Sequence, residues 1–154
     1  MKLYHGTTSE FVIPDLSKGR ENTDFGIGFY LTDKESMAKS WKKGRPNNHV
    51  NVYELTLANI DTGKLHIKRF ENADIEWAKF VYNNRKGKNK KSRYDLIIGP
   101  LADNGLENWF IRLDKGEIDW DDLAKGIELK KIQSLQFCFI KPNAIKLLEY
   151  AERK

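Results

Sequence analysis

Period-two alternation of apolar and polar side chains is what most restricts the fold of this chain. Successive side chains of a strand point to opposite faces, so SLQFCFI (134–140) sets Leu135, Phe137 and Phe139 against Ser134, Gln136, Cys138 and Ile140. VNVYELTL (50–57) sets Val50, Val52 and Glu54 against Tyr53, Leu55 and Leu57. In KLYHGT (2–7), Leu3, His5 and Thr7 share a face. GFYLT (28–32), HIKRF (66–70) and YDLIIGPLA (94–102), an apolar run cut by Gly99-Pro100, complete the strand candidates.

Between these runs the period changes. Asp33 offers an N-cap for a helix over DKESMAKSWKK, with Met37 and Trp41 as its apolar stripe. Ile75, Trp77, Ala78, Val81 and Tyr82 recur at helical spacing within 73–83. Asp119 can cap a helix running to about Glu128, and Pro142 suits the first turn of a closing helix, PNAIKLLEYAE. Residues 14–28, rich in Gly, Asp, Asn and Ser, read as one long loop, and loops beyond ~12 residues in a compact domain are often functional. Helices and strands mix without βαβ repetition, so the expected class is α+β, in one domain spanning 1–154.

No apolar run approaches the ~20 residues a membrane span needs, and MKLYHGTTSE lacks a signal-peptide apolar region. With Cys138 as the only cysteine, a disulfide framework is excluded, and a cytoplasmic location without membrane partners is the expectation. The net charge of +5 permits an anionic partner without demanding one. RKGKNKKSR (85–93) concentrates six cations, as either a solvated loop or a basic lip.

Three stretches can carry chemistry. In the first, His5 is followed by Gly6, whose backbone N–H and C=O lie open to close approach by a ligand such as a carboxamide. In DFGIGFYLT, Gly26 and Gly28 lead into Phe29 and Tyr30, which must point to opposite faces. One ring enters the core while the other lines a cleft, where a tyrosine can stack on a flat heterocycle. In SLQFCFI, Gln136 points away from the aromatic face, and its amide can donate and accept at once.

In these residues the chain resembles the histidine-first branch of the ADP-ribosyltransferase superfamily, the branch of diphtheria toxin and the poly(ADP-ribose) polymerases. More narrowly, it resembles the bacterial family DUF3990. The matching stretches are LYHGT (3–7), PDL…GR…DFGIGFYLT (14–32), the NNR of FVYNNR (80–85), YDLIIGPLAD (94–103) and LQFCF (135–139). The resemblance implies an ADP-ribosyltransferase-like split β-sheet core with flanking helices and NAD+ as a substrate in the cleft, with no metal. It makes His5, Tyr30 and Gln136 the catalytic set. His5 bonds the nicotinamide-side ribose, Gly6 holds the carboxamide, and Tyr30 stacks on the ring. Thr7 and Gly28, in the same motifs, line the cofactor site, and Arg20 reaches the phosphates on the ground of its charge.

Where many relatives carry a glutamate in the third motif, this chain has Gln136, with Asp24, Asp103 or Glu107 as candidate substitutes. The implied activity is mono-ADP-ribosylation of a protein or nucleic acid, as the toxin of a toxin–antitoxin or phage-defence locus with an antitoxin partner. NAD+ glycohydrolysis and non-catalytic nucleic-acid binding are the alternatives.

Overall fold

The computed structural model describes residues 1–60, 62–88, 91–103, 105–128 and 134–154. Among the described residues seven strands form one mixed sheet: β1 (Lys2–Thr7), β2 (Phe29–Thr32), β3 (His49–Leu55), β4 (Ile67–Arg69), β5 (Leu96–Pro100), β6 (Leu135–Phe139) and β7 (Leu148–Arg153). Their order is β4-β5-β6-β2-β1-β3-β7, with β4 parallel to β5 and every other neighbour antiparallel. Five α-helices among the described residues accompany it: α1 (Glu35–Ser40), α2 (Ile75–Arg85), α3 (Leu106–Asp114), α4 (Trp120–Glu128) and α5 (Pro142–Ile145). The α+β class follows, and no helix among the described residues is long and apolar enough to cross a membrane.

The sheet is thinnest in its middle. β1 pairs with β3 at six positions but with β2 only at Tyr4↔Thr32. That single pair makes β1–β2 the shortest ladder of the sheet among the described residues.

Both faces are buried. Helices α2, α3 and α4 cover one, where Trp77, Val81, Phe110 and Leu123 pack on Phe25, Ile97 and Cys138. On the other, Leu3, Leu31, Tyr53, Leu55, Phe137 and Phe139 form a second core closed by Ala144 of α5. Burying a large apolar side chain contributes about 1.5–3 kcal/mol, so a sheet covered twice gains stability from both sets of alternating positions. The face of β6 opposite the aromatics is thus a second interior: Cys138 is fully buried and Gln136 is 2% exposed. Burial pushes the Cys138 thiol up to about 12, which leaves it an inert packed group.

Local sequence explains most elements. Asp74 caps α2 by accepting from Trp77 N at 3.0 Å. Asp119 and Asp122 form a reciprocal cap at the start of α4, each carboxylate accepting the other's backbone N–H at 2.8 and 3.1 Å.

Two expectations fail, and one element goes unforeseen. Asp33 does not cap α1; Lys34 holds that position, and the Asp33 carboxylate accepts Leu135 N at 2.9 Å, tying β2's end to β6. The closing helix stops after one turn, and its expected second half is β7. There Val50 and Lys154 exchange both backbone hydrogen bonds at 2.8 Å, because the open edge of β3 offers a ladder that outweighs the segment's own helix propensity. Helix α3 goes unread in the sequence, although Leu106, Phe110 and Leu113 carry helical spacing.

Candidate active site

His5 sits one residue past the single β1–β2 register pair. Its Nδ1 lies 2.7 Å from the Tyr30 carbonyl oxygen, across the gap between β1 and β2. A carbonyl only accepts, so Nδ1 carries the proton and Nε2 is left as an acceptor. Desolvation lowers the His5 pKa below 6.5, ahead of the opposing hydrogen bond to Tyr30, and the nearby Lys42 and His49 add to the lowering. The imidazole is therefore neutral near pH 7. Its ring packs 4.3 Å from Phe29 and edge-on to Trp41 at 6.2 Å.

Gly6 lies beside it. A Cβ there would stand 1.9 Å from the Ala38 carbonyl oxygen, so α1 can rest on β1 only because Gly6 has no side chain. Strand alternation also fixes its backbone. Tyr30 and Thr32 direct their peptide groups the same way, and the Tyr30 carbonyl already reaches β1. Thr32 thus faces Tyr4, and Gly6, two residues past Tyr4, turns its N–H and C=O toward β2 beyond the last register pair. Thr7 is buried and accepts Ser9 N at 3.0 Å.

Tyr30 points to the opposite face from His5. Its ring packs among the α2–α4 core, and its hydroxyl accepts Phe25 N at 2.9 Å and donates to Gly26 O at 2.6 Å, with Thr23 Oγ1 at 3.1 Å. It fastens the tight turn at Gly26, whose φ of +91° suits glycine. Phe29 is the ring that faces the histidine. Desolvation raises the Tyr30 phenol well above 10, so it stays protonated. Gly28 backs onto β6, where a Cβ would meet Cys138 Sγ at 2.5 Å.

Gln136 shares the Tyr30 face and clamps the same loop. Its Nε2 donates to Asp24 Oδ2 at 3.2 Å and to Pro100 O at 3.3 Å. Asp24 pairs in turn with Arg85 Nε at 2.7 Å, and Arg85 Nη1 reaches Glu107 at 2.9 Å. Two of the three substitute carboxylates are thereby joined through one guanidinium. Asp103 instead accepts Gly105 N at 2.8 Å. The three expected side chains therefore do not meet in one pocket: His5 lies on one face of the sheet, and Tyr30 and Gln136 lie on the other, held by the 23–26 turn.

Sequence reasoning missed the residues that surround His5 in space. Trp41, read only as a helix stripe, is half-buried against it. Lys42 follows, its pKa lowered by partial desolvation and then by the positive charges of Arg20 and Arg45. Among the described residues no carboxylate pairs with Arg20, Lys42 or Arg45 at ion-pair distance. A signal was available: three cations at 42, 43 and 45 directly follow an aromatic at the end of α1. The 85–93 cluster differs, since Arg85 and Lys86 are paired, Lys86 to Asp114 at 2.5 Å. Residues 89–90 of that stretch lie outside the described residues.

The sequence profile of a family described as "protein of unknown function (DUF3990)" matches residues 1–150. No curated protein matches the chain.

Proposed function

This chain belongs to the DUF3990 family, and from the site on β1 and β2 we propose that it is an NAD+-dependent mono-ADP-ribosyltransferase with an ADP-ribosyltransferase-like core. One observation carries the reading: a neutral, half-buried imidazole with a free acceptor nitrogen, flanked by aromatic rings and by cations that lack a carboxylate partner. An aromatic, anionic, hydroxyl-bearing ligand satisfies all three features, and NAD+ is such a ligand.

In this reading His5 Nε2 accepts from a hydroxyl of the nicotinamide-side ribose. The Gly6 backbone takes the carboxamide, and Trp41 offers its indole face to the pyridine ring. Arg20, Lys42 and Arg45 draw the diphosphate. Tyr30 and Gln136 act behind the site, holding the 23–26 turn, and the Tyr30 carbonyl fixes the histidine tautomer. The bond between ribose C1′ and the nicotinamide nitrogen breaks, and its electron pair leaves with nicotinamide. The acceptor's lone pair closes on C1′, and the acceptor gives up its proton. Orientation of the ribose supplies much of the acceleration, because Gln136 is neutral.

The setting implied by the superfamily resemblance is a cytoplasmic bacterial toxin of a toxin–antitoxin or phage-defence locus. Its acceptor is a protein or nucleic acid, and an antitoxin protein restrains it. The experiment is incubation with NAD+ labelled in the ADP-ribose moiety, plus cell lysate. Label on macromolecules supports transfer. Free ADP-ribose in its place makes the protein a glycohydrolase, and intact NAD+ rejects the enzymatic reading.

A further inference from the structure

Beside His5 lies a group of buried polar atoms that the fold leaves without partners. Asn51 is the register partner of His5 on β3, and His49 is that of Thr7. Alternation puts all four side chains on one face. Asn51 is 1% exposed, yet neither Oδ1 nor Nδ2 has a hydrogen-bond partner, and His49 Nε2 is likewise buried and unpartnered. The neighbouring Tyr53 phenol gives its proton to Val12 O at 2.6 Å, so toward Asn51 its oxygen can only accept. Burial raises the phenol pKa, and the contact with Asn51, short of hydrogen-bond geometry, opposes that rise and leaves Oδ1 without a donor.

An orphaned carboxamide in a sheet is costly, and an apolar residue of similar shape would spare that cost. The arrangement also has a defined chemistry. His49 Nδ1 lies 2.8 Å from Asn47 O, so it is the protonated nitrogen and Nε2 is an acceptor. With His5 Nε2 and Asn51 Oδ1, one face presents three acceptor atoms and, in Asn51 Nδ2, an amino group with two N–H donors. Such a set calls for a ligand rich in hydroxyls, which both donate and accept.

We propose that Asn51, assisted by His49, is a specificity-determining residue that binds the vicinal hydroxyls of the ribose joined to nicotinamide. The inference rests on the NAD+ reading and extends it to a second strand. His5 takes one hydroxyl from β1, and the Asn51 amide, directly across the ladder, donates to one oxygen and accepts from the other. The β1–β3 ladder, paired at six positions, holds the two residues in fixed register.

The test is calorimetric titration of wild type, Asn51→Leu and Asn51→Ala with NAD+, and with an NAD+ analogue lacking both hydroxyls on the nicotinamide-side ribose. Thermal unfolding of each protein without ligand accompanies it. Asn51→Leu weakens NAD+ binding at least ~10-fold while raising the ligand-free melting temperature by about 2 °C or more. The wild type binds the analogue at least ~10-fold more weakly than NAD+, and this difference shrinks in both variants to what the His5 contact alone supplies, because the amide and the hydroxyls are coupled. Should Asn51→Leu pack poorly, that non-additivity in Asn51→Ala still decides. Equal NAD+ affinity in wild type and variants, or losses that simply add, overturns the assignment while leaving the transferase reading intact. A wild type that does not bind NAD+ overturns both.

Discussion

Removing the Tyr30 hydroxyl separates its two roles, as packed ring and as clamp. Tyr30→Phe keeps the ring in the α2–α4 core and keeps the backbone carbonyl that holds His5. It deletes the acceptor of Phe25 N at 2.9 Å and one donor to Gly26 O at 2.6 Å. Gly26 O retains Thr23 Oγ1, also at 2.6 Å, so that carbonyl remains satisfied. Phe25 is 1% exposed, so its N–H is stranded. A stranded buried donor costs about 1–3 kcal/mol, and the lost donation to Gly26 adds up to about 1 kcal/mol. The variant should therefore lose about 1–4 kcal/mol, a fall of about 2–16 °C in melting temperature for a domain of this size. Urea denaturation followed by tryptophan fluorescence measures it, with the midpoint moving and the slope m unchanged. A loss below about 0.5 kcal/mol would refute the clamp, since it would mean that Phe25 N finds another partner at no cost.

The His5 imidazole predicts a pH dependence. Its folded pKa lies below the unfolded value of 6.5, so the unfolded chain binds the proton first as pH falls, and stability drops from about pH 6.5 downward toward the folded value. Denaturant midpoints across that window should slope less in His5→Gln; identical slopes would mean the imidazole is not desolvated. Gly6→Ala places a methyl against the Ala38 carbonyl oxygen, a backbone atom that no rotamer can move. It should destabilise the protein by more than about 2 kcal/mol in thermal unfolding, and a neutral result would show α1 free to lift. Trp41→Ala should weaken NAD+ at least ~10-fold by calorimetry while leaving the urea midpoint nearly in place. Lys42→Ala should weaken NAD+ and flatten the salt dependence of binding, and an unchanged salt slope would remove the cations from the phosphate site.

Local signals in the sequence were strong wherever structure depends on near neighbours. The period-two runs became β1, β2, β3, β5 and β6, and the carboxylates of Asp74 and Asp119 cap the helices that follow them. His5, Gly6 and the turn before Tyr30 were legible as special because glycines beside aromatics stand out in any strand. The closing segment was not legible: LEYAER suits a helix in isolation and pairs with β3 only because that edge is available.

The site divides the same way. The chain alone determined that histidine, tyrosine and glutamine lie on strands and which neighbours share their faces, since alternation is a property of the backbone. Only the tertiary structure decided which faces are interior. Helices α2–α4 buried the Tyr30 and Gln136 side, gave both groups to the 23–26 turn, and left His5 to Phe29, Trp41 and Asn51. Burial and cross-strand proximity depend on residues dozens of positions away, and no local pattern encodes them.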